Sequence, residues 1–133
     1  MVIVGGYDAH LVAEQLIANQ VPVLLRRLHE LPMYAEDDID LPFKLPAMLY
    51  KAGVSFALQN EGDMERMGAR NLPFYAGTAV AYGLPYEEAV RSLTQAPAKI
   101  LGIDQSCGTL EVGNFADINI FDPQQLHQAS QRT

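Results

Sequence analysis

Residues 54–62 read VSFALQNEG. A run of β-branched, aromatic and aliphatic side chains, suited to a pleated and buried backbone, stops, and Gln59, Asn60 and Glu61 follow without a break. A strand ending in three hydrogen-bonding side chains either reaches the surface there or opens into a site. The same motif occurs twice upstream. Val2-Ile3-Val4 exits through Gly5-Gly6, and Val21–Leu25 carries Pro22 near its beginning, where a missing N–H is tolerated. Between the first two runs, Asp8 suits the cap of a helix through Leu11, Val12, Leu16 and Ile17 that stops at Asn19. Before the third, Pro42 and Pro46 bracket the first turn of a helix carrying Leu45, Met48, Leu49 and Ala52, and Gly53 ends it. Strand, helix, strand, helix, strand with near-continuous apolar strands predicts an α/β fold with a parallel sheet covered on both faces. Ligands in such folds sit at the carboxyl ends of the strands. The expected mouth is therefore Gly5-Gly6-Tyr7, Arg26-Arg27-Leu28-His29 and Gln59-Asn60-Glu61.

Residues 26–42 form a long connection rich in Pro and acid, a length more often functional than idle in a compact domain. Beyond the third strand the pattern turns helical. Asn71-Leu-Pro-Phe opens a helix through Ala76, Val80 and Ala81 that Gly83 ends. Pro85 starts another with Tyr86, Ala89, Val90 and Leu93, and Glu87 and Glu88 suit its first turn. Residues 96–102 predict a third short helix closed by Gly102. Residues 108–122, GTLEVGNFADINIFD, alternate about Gly113-Asn114 and predict a hairpin. A polar tail ends the chain.

The 133 residues suit one domain able to bury a core, and 49% apolar with 19% charged residues is a globular composition. A net charge of −7, with Arg26–Arg27 as the one adjacent basic pair, argues against nucleic acid as a partner. A single cysteine, Cys107, excludes an internal disulfide or a multi-cysteine metal site, and with no spaced His or Asn it does not read as a catalytic thiol. No apolar run is long enough to predict a membrane span. MVIVGG has neither the basic nor the long apolar region of a signal peptide, which leaves the cytoplasm as the default expectation. A chain that opens inside a core strand is either a compact domain or one missing its upstream part. Glu36, Asp37, Asp38 and Asp40 lack the spaced ligands and glycine of a calcium loop and read as a solvated acidic loop.

The stretch YGLPYEEAVRSLTQAPAKILGIDQSCGTLEVGNFADINIFD resembles the C-terminal signature of the amidohydrolase superfamily, in particular its imidazolonepropionase-like members. The matching positions are Glu88-Ala89, Thr94, Pro97-Ala98-Lys99, Leu101-Gly102, Gly108, Leu110, Gly113, Ala116-Asp117 and Phe121-Asp122. The upstream half is similar to the same subgroup, more weakly. The resemblance implies the last three strands of a (β/α)8 barrel, at residues 2–5, 21–25 and 54–59. It also implies two strands of a small β-sandwich at 109–112 and 117–121. The expected organisation is thus a barrel part at 1–106, a sandwich hairpin at 107–122 and a tail at 123–133. It favours a chain that corresponds to the C-terminal third of an enzyme.

The resemblance also implies chemistry: hydrolysis of non-peptide C–N bonds in a small amide, linear or cyclic, with zinc or a similar divalent metal activating water. The family's ligands are a His-x-His pair on the first strand, one His each after the fifth and sixth, and an Asp after the eighth. This sequence has no His-x-His, Gly5 and Gly6 stand at the sixth-strand position, and Glu61 beside Asn60 stands nearest the eighth-strand Asp. A catalytic metal needs three or more protein ligands, so no metal is expected on this chain alone. Glu61 is the expected catalytic carboxylate, and a ligand only if upstream residues complete the set. Arg26, His29 and Asn60 are the expected substrate contacts. The plainer alternatives are a loop Glu61 paired with Arg66 or Arg70, and an exposed His29. His10 and His127 read as solvent-facing, and the Asn71/Tyr75/Gly77/Thr78 stretch as a pocket wall or simply a packed helix start. Open barrel strands predict a homo-oligomer or pairing with an upstream N-terminal part. The competing classes are a non-catalytic structural or binding module of the same family, and a free-standing small-molecule binding domain.

Overall fold

The computed structural model describes residues 1–60 and 65–118. Each expected strand forms around three residues: β1 Ile3–Gly5, β2 Val23–Leu25 and β3 Phe56–Leu58. They lie parallel in the order β1-β2-β3, with Ile3, Val23 and Phe56 in one row and Gly5, Leu25 and Leu58 in another. Ladder bonds continue past the strand ends. Ile3 N–H donates to the Pro22 carbonyl at 3.0 Å and Val23 N–H to that of Ser55 at 2.9 Å. Pro22 thus serves the sheet as an acceptor, the role its ring leaves open.

Between β1 and β2 a 3-10 turn, Ala9–Val12, leads into α1, Ala13–Ala18. Two expectations are corrected here. The Asp8 side chain makes no cap bond, and of the expected apolar stripe Leu16 alone is buried, with Leu11 72% exposed. A tight three-residue turn rotates the first side chains away from the 3.6-residue period on which the stripe was counted. Asn19 does end the helix. α2, Leu41–Ala52, carries Pro42 in its first turn and Pro46 inside, and Gly53 closes it at φ +84°, a conformation a side chain resists. After β3 come a 3-10 segment, Glu65–Asn71, then α3 Leu72–Ala81, α4 Tyr86–Arg91 and α5 Gln95–Leu101.

The core lies against one face of the sheet, where Val23, Leu25, Phe56 and Leu58 meet Leu16, Leu45, Leu49, Tyr75, Ala76 and Leu84. Each fully buried Leu or Val there contributes about 1.5–3 kcal/mol of transfer free energy. The other face is not evenly covered, contrary to the expectation of helices on both sides. Its row is Val4, Leu24 and Ala57; Ala57 is buried, Leu24 intermediate and Val4 exposed. Helix α5 packs on β3.

No strand is present at 109–112, where a hairpin arm was expected. The turn is there, with Asn114 N–H on the Glu111 carbonyl at 3.2 Å and Gly113 at φ +101°. Its flanks do not pair, and Leu110 and Val112 face solvent. Alternating residues become a strand only against a partner, and an isolated two-stranded hairpin is marginal in water. The segment instead folds on itself, with Phe115 N–H donating to Ser106 at 2.8 Å. Residues 117–118 are also without strand, and the rest of the second expected arm and the tail lie outside the described residues. Among the described residues the sheet is an open three-stranded one, and no helix is long and apolar enough to cross a membrane.

Candidate functional site at the carboxyl ends of the strands

β1 leaves the sheet through Gly5 at φ +96° and Gly6 at φ +60°. A Cβ on Gly6 would sit 2.4 Å from Val23 Cγ1, so this turn packs against β2 only because a hydrogen is there. It delivers Tyr7 into the core, where its hydroxyl donates to Asp37 Oδ2 at 2.6 Å. Burial, and then the bond to Asp37, raise the Tyr7 pKa above its ordinary value and keep the phenol neutral. The Tyr34 hydroxyl donates to Asp8 at 3.3 Å, and Lys44 pairs with Asp38. The long 26–42 connection is thereby tied down, and Asp37, Asp38 and Asp40 each have a named partner.

At the end of β2, Glu30 holds both arginines: Arg26 through Nη2 to Oε2 at 2.6 Å, and Arg27 through Nε to Oε1. Among the described residues the Arg26 Nε is buried without an acceptor. Leu28 fills the core, and His29 projects toward α3. His29 Nε2 lies 2.8 Å from Thr78 Oγ1, its ring meets Tyr75 edge-on at 4.7 Å, and Phe43 stands at 6.2 Å. His29 is exposed overall, as the plainer reading had it, and the partial burial of its ring lowers its pKa below the ordinary value and favours the neutral imidazole. At the end of β3, Gln59 Nε2 donates back to the Leu24 carbonyl at 3.2 Å, and Asn60 Oδ1 accepts from the Tyr75 hydroxyl at 3.1 Å. Tyr75 and Thr78 are three apart and share a face of α3. One helix face therefore joins the ends of two strands through His29, Thr78, Tyr75 and Asn60.

Of the sequence-predicted site residues, Arg26, His29 and Asn60 all follow the strand ends; α3 links His29 to Asn60, and Arg26 is held by Glu30. Glu61, with its expected pairing to Arg66 or Arg70, lies outside the described residues. His10 turns its Nδ1 to the Tyr7 carbonyl at 3.3 Å, and His127 is not described. Sequence reasoning missed Glu30 and the Asp37 acceptor. The Arg26/Glu30 spacing of four was a visible signal; the Tyr7–Asp37 pairing, thirty residues apart, left none. Among the described residues no three His, Cys, Asp or Glu side chains group closely enough to hold a metal. The space beside Tyr7, Arg26, Arg27 and Glu30 is about 10 Å³, at the margin of what holds one water. A larger cleft of about 310 Å³ opens at the other end of the sheet, between Leu16, Val21, Val54 and Ile100.

The comparisons with known proteins agree on one family. The model of the amidohydrolase family matches residues 8–132. Amidohydrolase tasK of Hapsidospora irregularis is 32% identical over 124 residues, which are 91% of this chain and 12% of that protein. The crystal structure of an amidohydrolase from Thermotoga maritima MSB8 superposes with a TM-score of 0.75 at 33% identity, over 87% of this chain and 30% of the other. The chain thus spans less than a third of the length of either relative.

Proposed function

The chain belongs to the amidohydrolase family, and on that premise we propose that it serves the hydrolysis of a non-peptide C–N bond in a small amide, linear or cyclic. The reading includes the imidazolonepropionase-like subgroup and a place as the C-terminal part of a β/α barrel. Because the chain spans 12% and 30% of its relatives' lengths, the activity is proposed for an assembled enzyme and not for these residues alone. The observation that supports it best is the link that Thr78 and Tyr75 of α3 make between His29 and Asn60, beyond the carboxyl ends of β2 and β3, where sheets of this kind bind ligands. His29, neutral and set against Thr78, is placed to exchange a hydrogen bond with an amide, and Arg26 to meet a carbonyl or carboxylate. Glu61 is the proposed carboxylate of the site.

A divalent metal would supply an activated water in such an enzyme. The described residues do not fit one, since they bring no group of three ligands where a catalytic site needs at least three. No step is therefore assigned to a metal on this chain. The second reading, a non-catalytic module of the family, draws on that same missing ligand group among the described residues. Metal analysis of the purified chain, joined to turnover of a panel of small linear and cyclic amides with zinc or manganese added, separates the readings. The expected result is less than stoichiometric metal and no turnover by the chain alone, with turnover once a polypeptide carrying the remaining barrel strands is added. Stoichiometric metal with turnover by the chain alone would overturn the need for further ligands. No turnover in any combination leaves the non-catalytic module.

A further inference from the structure

Two threonine hydroxyls in the helical half are used differently. Thr94 Oγ1, just past α4, donates to the Val90 carbonyl four residues back at 3.0 Å, a common outlet for a hydroxyl on a helical turn. Thr78, inside α3 and 4% exposed, has one side-chain partner among the described residues, His29 Nε2 at 2.8 Å. A hydroxyl carries one hydrogen and two lone pairs, and a neutral imidazole carries one N–H and one acceptor nitrogen. The pair can therefore bond in two ways. If Nε2–H donates to Thr78, the hydroxyl hydrogen is buried with no acceptor among the described residues, and folded chains avoid a stranded donor. If the hydroxyl donates to Nε2, no donor is stranded, and the imidazole proton sits on Nδ1. His29 is exposed overall and its Nδ1 has no partner among the described residues, which leaves an N–H there for water or a ligand. On the same face of α3, Tyr75 gives its hydroxyl hydrogen in the same sense, to Asn60 Oδ1 at 3.1 Å.

We infer that Thr78 is a positioning residue that fixes the tautomer of His29: its hydroxyl donates to Nε2, holds the imidazole proton on Nδ1, and makes His29 a hydrogen-bond donor at the strand ends. The consequence for a substrate rests on the proposed function. The group that meets Nδ1–H is the carbonyl oxygen of the amide and not its N–H, so His29 orients and polarises that carbonyl. Three features hold the arrangement. Thr78 is branched at Cβ and stiff at χ1, so α3 sets where its hydroxyl lies. Tyr75 stands edge-on to the imidazole at 4.7 Å and Phe43 at 6.2 Å, which restricts rotation of the ring. Partial burial disfavours a second proton, which on Nε2 would reverse the bond to Thr78.

The test reads the tautomer directly, by long-range proton–nitrogen correlation NMR on the isotope-labelled chain at pH 8. The His29→Gln spectrum assigns the His29 ring against those of His10 and His127. The expected result is Nδ1–H as the major form, the reverse of a histidine free in water. Thr78→Ser keeps the hydroxyl and is expected to keep that ratio. Thr78→Val is expected to move the ratio toward Nε2–H by at least about fivefold, the smaller end of the penalty on a stranded donor. Circular dichroism shows whether each variant is folded; if Thr78→Val is not, the wild-type and Thr78→Ser spectra decide. Nε2–H as the major form in the wild type overturns the inference, and so does an unchanged ratio in a folded Thr78→Val chain. The two readings fail separately. Nδ1–H in the wild type without amide turnover in any assembly would end the proposed function and leave the tautomer assignment standing, whereas turnover with Nε2–H as the major form would do the opposite.

Discussion

β1 and β3 have similar compositions and opposite environments. Both are short apolar strands flanking β2 in register. β3 is closed on its outer edge by Ser92 and covered by α5, whereas β1 leaves Val4 exposed at its edge and on its uncovered face. Hydrophobicity alone did not separate them. What separates them is what the chain does afterwards: four helical segments follow β3 in sequence and are available to fold over it. The lesson is local. In one small sheet the same strand chemistry makes a core at one side and an exposed strand at the other.

The largest expected contrast is in amide exchange. The Leu58 amide is expected to exchange about a thousandfold or more slowly than that of Val4, because core amides open only with global unfolding of at least about 5 kcal/mol. Comparable rates measured by NMR would erase the distinction. Next comes truncation. Leu58→Ala should cost about 2–5 kcal/mol in a denaturant melt, and Val4→Ala, at an exposed position, within about 0.5 kcal/mol. Equal losses would mean that β1 is as covered as β3. Gly6→Ala tests the exit of β1 more finely. Its left-handed φ and the close approach to Val23 predict a loss of about 1–3 kcal/mol, and a neutral result would show that the turn relaxes freely.

The smallest effect is the pH response of the mouth that joins the β2 and β3 ends. Burial lowers the His29 pKa in the folded state, so the unfolded chain binds that proton more readily. The stability that neutral His29 provides is therefore present above its unfolded value of about 6.5 and is lost as pH falls through the folded one. The melting temperature of wild type should drop more between pH 7.5 and 5.5 than that of His29→Gln. Parallel curves would remove His29 from the packed network.

Much of this was legible residue by residue. The three apolar runs, the stop at Asn19, the Gly53 closure and the mouth residues Arg26, His29 and Asn60 all follow from composition and order. Those features are local or depend on element sequence alone. The helix stripe at Leu11, Val12 and Ile17 was misread because a 3-10 turn broke the assumed period. The hairpin at 109–112 was misread because alternation signals the capacity to pair and not the presence of a partner. His29 and Thr78 are 49 residues apart, and Tyr75 reaches Asn60 across a different connection. Nothing in their spacing announces the network.

By itself, then, the sequence determined the parallel order of strands and helices, the acidic surface and the family pattern, because each is written in spacing and side-chain type. Only the tertiary structure decided which strand edge is covered, where Glu30 turns the two arginines, and how α3 closes the mouth with Tyr75 and Thr78. Those outcomes depend on which distant surfaces meet. A buried contact forms where two faces fit and exclude water together, and neither face carries a record of the other in its own residues.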